Sequence, residues 1–235
     1  MADRSPVRDR LALALDVGDL AAAEATARAL LPWFGIAKVG LELYAEAGPV
    51  AFQRLQELGF RVFADLKLYD IPTTVERAAR ALARQGIGFL NFATTRDGEA
   101  MLRAGVAGLS EGARDAGHPP PVSLAVTVLT SDADTGAFDE RLDIARAAAC
   151  DGVVCSAHEV ARVKSRHPRM RTMVPGVRLP GGDRHDQARV ATPADVVHAG
   201  GDWMVVGRAV TRATDPEEAA EAVTRSVVEA LATNV

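Results

Sequence analysis

The sequence is poor in cysteine and has no long apolar run. Of its 235 residues only Cys150 and Cys155 are cysteines, and their spacing matches neither a CxxC redox pair nor a zinc knuckle. We expect reduced thiols in a core, as in a cytoplasmic protein. No apolar stretch approaches the roughly 20 residues that cross a bilayer, and the charged start MADRSPVRDR lacks the apolar region of a secretory signal. The sequence therefore predicts a cytoplasmic location and no membrane contact.

The chain also lacks an excess of positive charge. It has 27 basic and 31 acidic residues, a net charge of −4. Proteins that bind nucleic acid mainly by neutralising phosphates usually carry a basic excess, so no nucleic-acid partner is predicted. A small anionic ligand needs only one or two local charges, and this composition leaves room for it.

Several catalytic motifs are missing. The sequence has no HExxH, no GxSxG and no GxxxxGK[ST], so zinc-peptidase, serine-elbow and P-loop chemistry lose their usual support. The five histidines show no metal-type spacing, and no metal site is predicted.

What the chain does contain is a repeated alternation of short apolar segments with Ala-, Leu- and Arg-rich stretches of helical length. Several segments are apolar without alternating, as expected for parallel strands covered on both faces. The predicted strands are Leu11–Asp16, Ile36–Gly40, Val62–Leu68, Gly88–Phe92, Val122–Thr127, Gly152–Cys155, Arg171–Val174 and Trp203–Val206. Helix starts are marked by Asp19, by Thr192-Pro193 and by Asp215-Pro216.

Eight such units without an internal linker predict an α/β fold, a single-domain (β/α)8 TIM barrel. We expect residues 1–9 to be a flexible N-terminal segment and residues 10–235 to form the barrel. A doubly wound open sheet is the alternative, but its GxGxxG fingerprint is absent after the first strand. Gly105–Pro121 and Val177–Gln187 are predicted to be loops, the second a candidate lid.

Ionisable residues recur where the predicted strands end, which is where such barrels carry their reacting groups. Asp65 and Lys67 are two residues apart on strand three and should share the inner face. Burying two charges costs several kcal/mol per ion unless they pair. With Lys38 on the adjacent strand and Asp70 just beyond, an alternating row of charges is expected, which keeps Lys67 protonated and ready to donate a proton. A purely structural ion pair at the barrel mouth is the alternative interpretation.

A second constellation follows strand eight. Gly207 permits close backbone approach and Arg208 adds a bidentate cation, which is typical of the phosphate sites formed by the loops after strands seven and eight. Arg178 and Gln187 flank a loop that could close over a bound anion.

The segment Asp65-Leu66-Lys67-Leu68-Tyr69-Asp70-Ile71-Pro72-Thr73-Thr74 resembles the DxKxxDIPxT signature of the orotidine 5′-phosphate decarboxylase family, bacterial type. Shorter matches follow in the same order along nearly the whole chain. They are Leu13–Asp16, Lys38–Gly40, Val126–Ser131, Pro175–Arg178, Asp186-Gln187 and Val206–Arg208.

The resemblance implies a homodimeric barrel that converts orotidine 5′-phosphate to UMP and CO₂, the last step of pyrimidine biosynthesis, with neither metal nor organic cofactor. Lys67 would donate the proton to C6, and Asp65 would sit against the departing carboxylate. Lys38 and Asp16 would hold the ribose hydroxyls. The remaining roles are implied as follows: Asp70, Ile71 and Thr74 reach into the neighbouring subunit's site, Thr130 reads the pyrimidine edge, and Arg178, Gln187, Gly207 and Arg208 hold the phosphate.

Two other functions stay open on the sequence. A metal-using relative on the same barrel, such as a keto-sugar-phosphate decarboxylase or a hexulose-phosphate synthase, also carries DxKxxD, although Ile71-Pro72-Thr73-Thr74 resembles the orotidylate branch. A non-catalytic protein that binds nucleotide phosphates would keep the phosphate end but has no need of the charged row.

Overall fold

A computed structural model describes residues 5–129, 136–179 and 191–233. Eight parallel strands close into a barrel in sequence order, each paired with its neighbours and the last paired with the first. The strands are β1 (Leu11–Ala14), β2 (Ile36–Val39), β3 (Arg61–Leu68), β4 (Phe89–Ala93), β5 (Val122–Val126), β6 (Gly152–Val154), β7 (Arg171–Val174) and β8 (Trp203–Val206). All eight predicted strands and the predicted single-domain (β/α)8 barrel are confirmed.

Helices surround the strands. In chain order they are α1 (Ser5–Arg8), α2 (Leu20–Leu30), α3 (Leu41–Ala47), α4 (Pro49–Glu57), α5 (Pro72–Ala83), α6 (Glu99–Ala116), α7 (Phe138–Ala147), α8 (Ala157–Arg166), α9 (Pro193–His198), α10 (Arg208–Thr211) and α11 (Pro216–Thr233). The predicted N-caps form: Asp19, Thr192 and Asp215 each accept hydrogen bonds from backbone N–H groups of the first turn. Within the segment expected to be flexible, α1 packs on the barrel through the buried Val7.

The core has two layers, because strand side chains alternate between the barrel axis and the helices. Large side chains fill the lower part of the axis: Phe63 and Phe89 meet edge to face at 6.0 Å, and Phe89 meets Trp203 at 4.9 Å. Arg61 and Arg171 lie over Phe89 and Trp203 respectively. These three rings form an aromatic plug that closes the axis beneath the C-terminal ends of the strands.

Both cysteines are free thiols in the helix-facing layer, as the sequence predicted. Burial, reinforced by the neighbouring Asp151, raises the pKa of the Cys150 thiol to about 12. Cys150 is therefore unreactive as a nucleophile at neutral pH.

One loop prediction is wrong. Gly105–Pro121 is poorly patterned and contains three consecutive prolines, which predicted a loop, but α6 runs through it to Ala116 and only residues 117–121 are irregular. The glycines lie on one face of that helix, where Gly108 and Gly112 let its backbone approach α5. A Cβ at either position would lie 2.2 Å from a carbonyl oxygen of α5. Packing between two helices, rather than a loop, explains the glycines.

This contact gives a stability prediction. Gly108→Ala improves helix propensity by about 1 kcal/mol, yet its methyl group would meet the Glu76 backbone, so the two helices must separate. We expect a net loss of about 1–3 kcal/mol in the free energy of unfolding. Chemical denaturation followed by circular dichroism measures it, with the exposed Ser110→Ala on the same helix as the control. Equal midpoints for Gly108→Ala and the parent would contradict the packing argument.

Candidate active site

The inward-facing side chains of the first four strands change from apolar to polar toward the C-terminal end. Residues two apart on a strand share a face, so each polar group lies directly above an apolar one. The pairs, apolar residue first, are Ala14 and Asp16, Ile36 and Lys38, Phe63 and Asp65, and Phe89 and Asn91. A ring of polar groups therefore lies above the aromatic plug.

Three of these polar side chains, Asp16, Lys38 and Asp65, form a continuous row of ion pairs with Lys67. Lys38 Nζ lies 2.7 Å from Asp16 Oδ1 and 3.2 Å from Asp65 Oδ2, and Lys67 Nζ lies 2.6 Å from Asp65 Oδ1. The predicted row of alternating charge therefore exists, although its fourth member within this chain is Asp16 rather than Asp70. Asp16 follows β1, the hydrogen-bonded neighbour of β2, whereas Asp70 lies beyond the end of β3.

The charged side chains of the row keep one another ionised. Burial by itself would raise the pKa of the Asp65 carboxyl, but Lys38, Lys67 and the Asn91 amide outweigh it and the pKa is lowered. For Lys38, burial would lower the pKa, and the attraction of Asp65 and Asp16 reverses this to a raised value. Asp65 is thus ionised and Lys38 protonated at neutral pH, each stabilised by the other.

Gly40, just after β2, leaves space for the Asp16–Lys38 pair. A Cβ there would lie 2.8 Å from Asp16 Oδ1 and 3.2 Å from Lys38 Nζ. Any side chain at this position would have to displace one or both of these charged groups.

Strand β3 is irregular at the site. Its register against β4 shifts between Ala64 and Leu68, and Lys67 has φ 50°, the left-handed region that non-glycine residues rarely occupy. Such a conformation costs on the order of 1–3 kcal/mol and is found mainly at functional sites. Leu66 and Leu68 still pack toward the helices, as predicted. The irregularity itself was not predicted from the sequence. A regular strand would place Leu66 and Leu68 on the same helix-facing side.

The row borders a cavity of about 680 Å³. Lys38, Asp65 and Lys67 lie on one side of it, and apolar side chains of the inner layer, such as Phe63 and Val205, contribute to its walls. This volume is within the usual range for small-molecule sites, about 300–1,000 Å³.

Three of the residues predicted to hold phosphate also border this cavity: Arg178 after β7, and Gly207 with Arg208 after β8. Arg178 is buried, and its Nη1 donates to the Val177 carbonyl. Arg212 borders the cavity too and was missed, although its position one helical turn after Arg208 was a visible signal. Thr130 and Gln187, and most of the predicted lid, lie outside the described residues.

Asp70, Ile71 and Thr74 are exposed and are not among the described residues that border the cavity of their own chain. The Asp70 carboxylate accepts a hydrogen bond from the Ile71 N–H at 2.7 Å. Tyr69 and Ile71, on either side of Asp70, are 64% and 66% exposed. Two large apolar side chains next to a carboxylate thus project from the rim beside the site.

Within ranges 5–129, 136–179 and 191–233, no three His, Cys, Asp or Glu side chains are grouped so that they could hold a metal ion. No helix in the described part of the chain has both the length and the apolar character to cross a membrane.

The fold and the site together define a barrel enzyme whose reacting groups lie at the C-terminal ends of its strands. The model of the Orotidine 5'-phosphate decarboxylase / HUMPS family matches residues 9–223. The chain belongs to this family, which confirms the resemblance identified from the sequence.

Individual relatives agree. The chain is 42% identical to an orotidine 5′-phosphate decarboxylase of Moorella thermoacetica, over 95% of this chain and 94% of the relative. It is 46% identical to one of Anaeromyxobacter dehalogenans, over 92% and 96%. Among solved structures, the orotidine 5′-phosphate decarboxylase of Lactobacillus acidophilus superposes with a TM-score of 0.74 at 33% identity, covering 93% of this chain and 99% of that chain.

Proposed function

We propose that this chain decarboxylates orotidine 5′-phosphate to UMP and CO₂, in pyrimidine biosynthesis, with Lys67 as the proton donor and with no metal or organic cofactor. The observation that carries the proposal is the Asp16–Lys38–Asp65–Lys67 row on one side of a cavity that Arg178 and Arg208 border as well. Membership of the family and the names of the relatives support the choice of reaction.

The reaction develops negative charge on C6 of the pyrimidine, where the charged row can stabilise it. When the bond from C6 to the carboxylate breaks, CO₂ leaves and the electron pair stays on C6, in an sp² orbital in the plane of the ring that cannot delocalise into the ring's π system. The Lys67 ammonium stabilises this charge and transfers a proton to C6, and the resulting amine recovers a proton from solvent. Asp65 holds Lys67 in place and lies against the departing carboxylate.

The phosphate end contributes indirectly. Enzymes lower barriers by about 8–23 kcal/mol, and this reaction needs the upper part of that range, more than one ammonium supplies. Contacts of Arg178, Gln187, Gly207 and Arg208 with a phosphate remote from the breaking bond provide binding energy that closes the site and removes water. Asp16 and Lys38 hold the ribose hydroxyls between the two ends, and Thr130 contacts the pyrimidine edge.

We further propose that the active species is a homodimer in which Asp70, Ile71 and Thr74 complete the partner's site. The exposed Tyr69 and Ile71 beside Asp70 support this, because neighbouring exposed apolar side chains mark interaction surfaces.

The family also includes a metal-using alternative, and one assay separates the two. We expect purified protein to convert orotidine 5′-phosphate, followed by its absorbance, at the same rate with and without EDTA. Both carboxylates of the row are already paired with ammonium groups, which leaves them poor ligands for a divalent ion. Loss of turnover on chelation would favour the metal-using relative, and UMP binding with no turnover in either condition would favour a non-catalytic binding protein.

A further inference from the structure

Asn91 contacts both Asp65 and Lys67, although the sequence did not predict it as part of the site. It is fully buried on β4, with its side chain facing the barrel axis above Phe89. Its Nδ2 donates to Asp65 Oδ1 at 2.7 Å, and its Oδ1 accepts from the Lys67 backbone N–H at 2.8 Å. One amide therefore contacts both the Asp65 carboxylate and the Lys67 backbone.

The backbone contact lies at the irregular point of the barrel. Between Ala64 and Leu68 three residues of β3 face a single residue, Asn91, of β4. The Lys67 N–H donates to the Asn91 side chain, and Lys67 has φ 50°. The side chain of Asn91 thus takes the place of a strand carbonyl where the two backbones are out of register.

The carboxylate contact fixes the rotation of Asp65. Oδ1 receives both Asn91 Nδ2 and Lys67 Nζ, which leaves Oδ2 toward Lys38 at 3.2 Å. Without the amide, rotation of the carboxylate would change which lysine each oxygen contacts.

We propose that Asn91 is a positioning residue for the reaction: its amide locks the Asp65 carboxylate and the Lys67 backbone together, and so fixes where the Lys67 ammonium points. This inference rests on the proposed role of Lys67. An amide is suited to the position because it offers a donor and an acceptor without charge. An ionised carboxylate has no donor, and a hydroxyl is too short to span both partners.

Asn91→Asp tests the proposal, because it keeps the acceptor for the Lys67 N–H and makes the donor to Asp65 depend on a proton. Burial and the facing Asp65 carboxylate should raise the pKa of the new carboxyl, against the opposing pull of Lys38 and Lys67. At pH values at which the new carboxyl is ionised, we expect kcat for orotidine 5′-phosphate to fall about 100-fold, with KM within about threefold of the parent. As the pH falls and the new carboxyl is protonated, kcat should recover toward the parent value at the same pH.

The parent enzyme, assayed first, separates this inference from the proposed function. A parent with no turnover overturns the function, whereas an active parent with an Asn91→Asp variant that is equally active at every pH overturns only the role of Asn91. A kcat that is low at every pH, without recovery, also overturns it, since general damage to the site has no reason to reverse on protonation. Ser123→Ala is the matched control: Ser123 is buried on the next strand, faces the helices and bonds to Asp151, and its loss should leave kcat and the pH profile unchanged.

Asn91→Ser serves if the aspartate variant does not fold, since it introduces no charge. We expect the same fall in kcat of about 100-fold, with UMP affinity and KM within about threefold of the parent. A kcat within about threefold of the parent would overturn the proposal, as would a variant that shows only a lower thermal stability. Failure of both variants to fold would also count against it, because it would assign Asn91 a role in the barrel rather than in the reaction.

Discussion

Lys67→Ala is expected to lower kcat for orotidine 5′-phosphate by at least about 10,000-fold, because it removes both the proposed proton donor and the positive charge proposed to face C6. UMP affinity should stay within a few-fold of the parent, since the residues proposed to hold the phosphate follow β7 and β8 rather than β3. Steady-state assays give kcat, and calorimetric titration with UMP gives the affinity.

Lys164→Ala is the matched control. Lys164 also pairs with a carboxylate, Asp202, at 2.7 Å, and is half-buried, but neither residue borders the cavity. Losing this pair should leave kcat unchanged. A fall in kcat that is seen only with Lys67→Ala therefore reflects the place of Lys67 in the site and not merely the loss of a paired lysine. Near-normal turnover by Lys67→Ala would refute its role as the acid.

Mixing inactive Lys67→Ala and Asp70→Ala chains is expected to restore activity. If Asp70 acts in the partner's site, each hybrid dimer has one site with both groups intact and one with neither. Random exchange makes half of the dimers hybrids, so about a quarter of the parent sites should work. The assay compares the mixture with each variant alone after subunit exchange has been confirmed with differently tagged chains.

A second mixture provides the control. Asp65 and Lys67 are in contact within one chain, so Asp65→Asn and Lys67→Ala chains leave a defect in both sites of every hybrid. This pair should show no recovery. If the Asp70 mixture behaves in the same way, Asp70 acts in the site of its own chain.

The sequence predicted the barrel because its evidence is local. Each strand is a short apolar segment followed by a helical stretch. Parallel strands that are buried on both faces produce such continuous apolar segments in the sequence. The row was predictable for the same reason, since polar residues at strand ends converge once the barrel closes.

What the sequence did not predict depends on contacts between distant segments. Gly108 resembles a helix breaker until α5 is seen against it, and Asn91 resembles one polar residue in an apolar strand. The signal for Asn91 was its place two residues after Phe89, on the inner face. The left-handed backbone at Lys67 had no local signal, because lysine has no preference for it.

The aromatic plug determines how substrate enters the site and how products leave it. The plug, formed by Phe63, Phe89 and Trp203, blocks the barrel axis below the site. Substrate, nucleotide product and CO₂ therefore all pass through the same opening at the C-terminal rim of the barrel. Entry of the next substrate must then wait until UMP has departed, which makes product inhibition by UMP competitive.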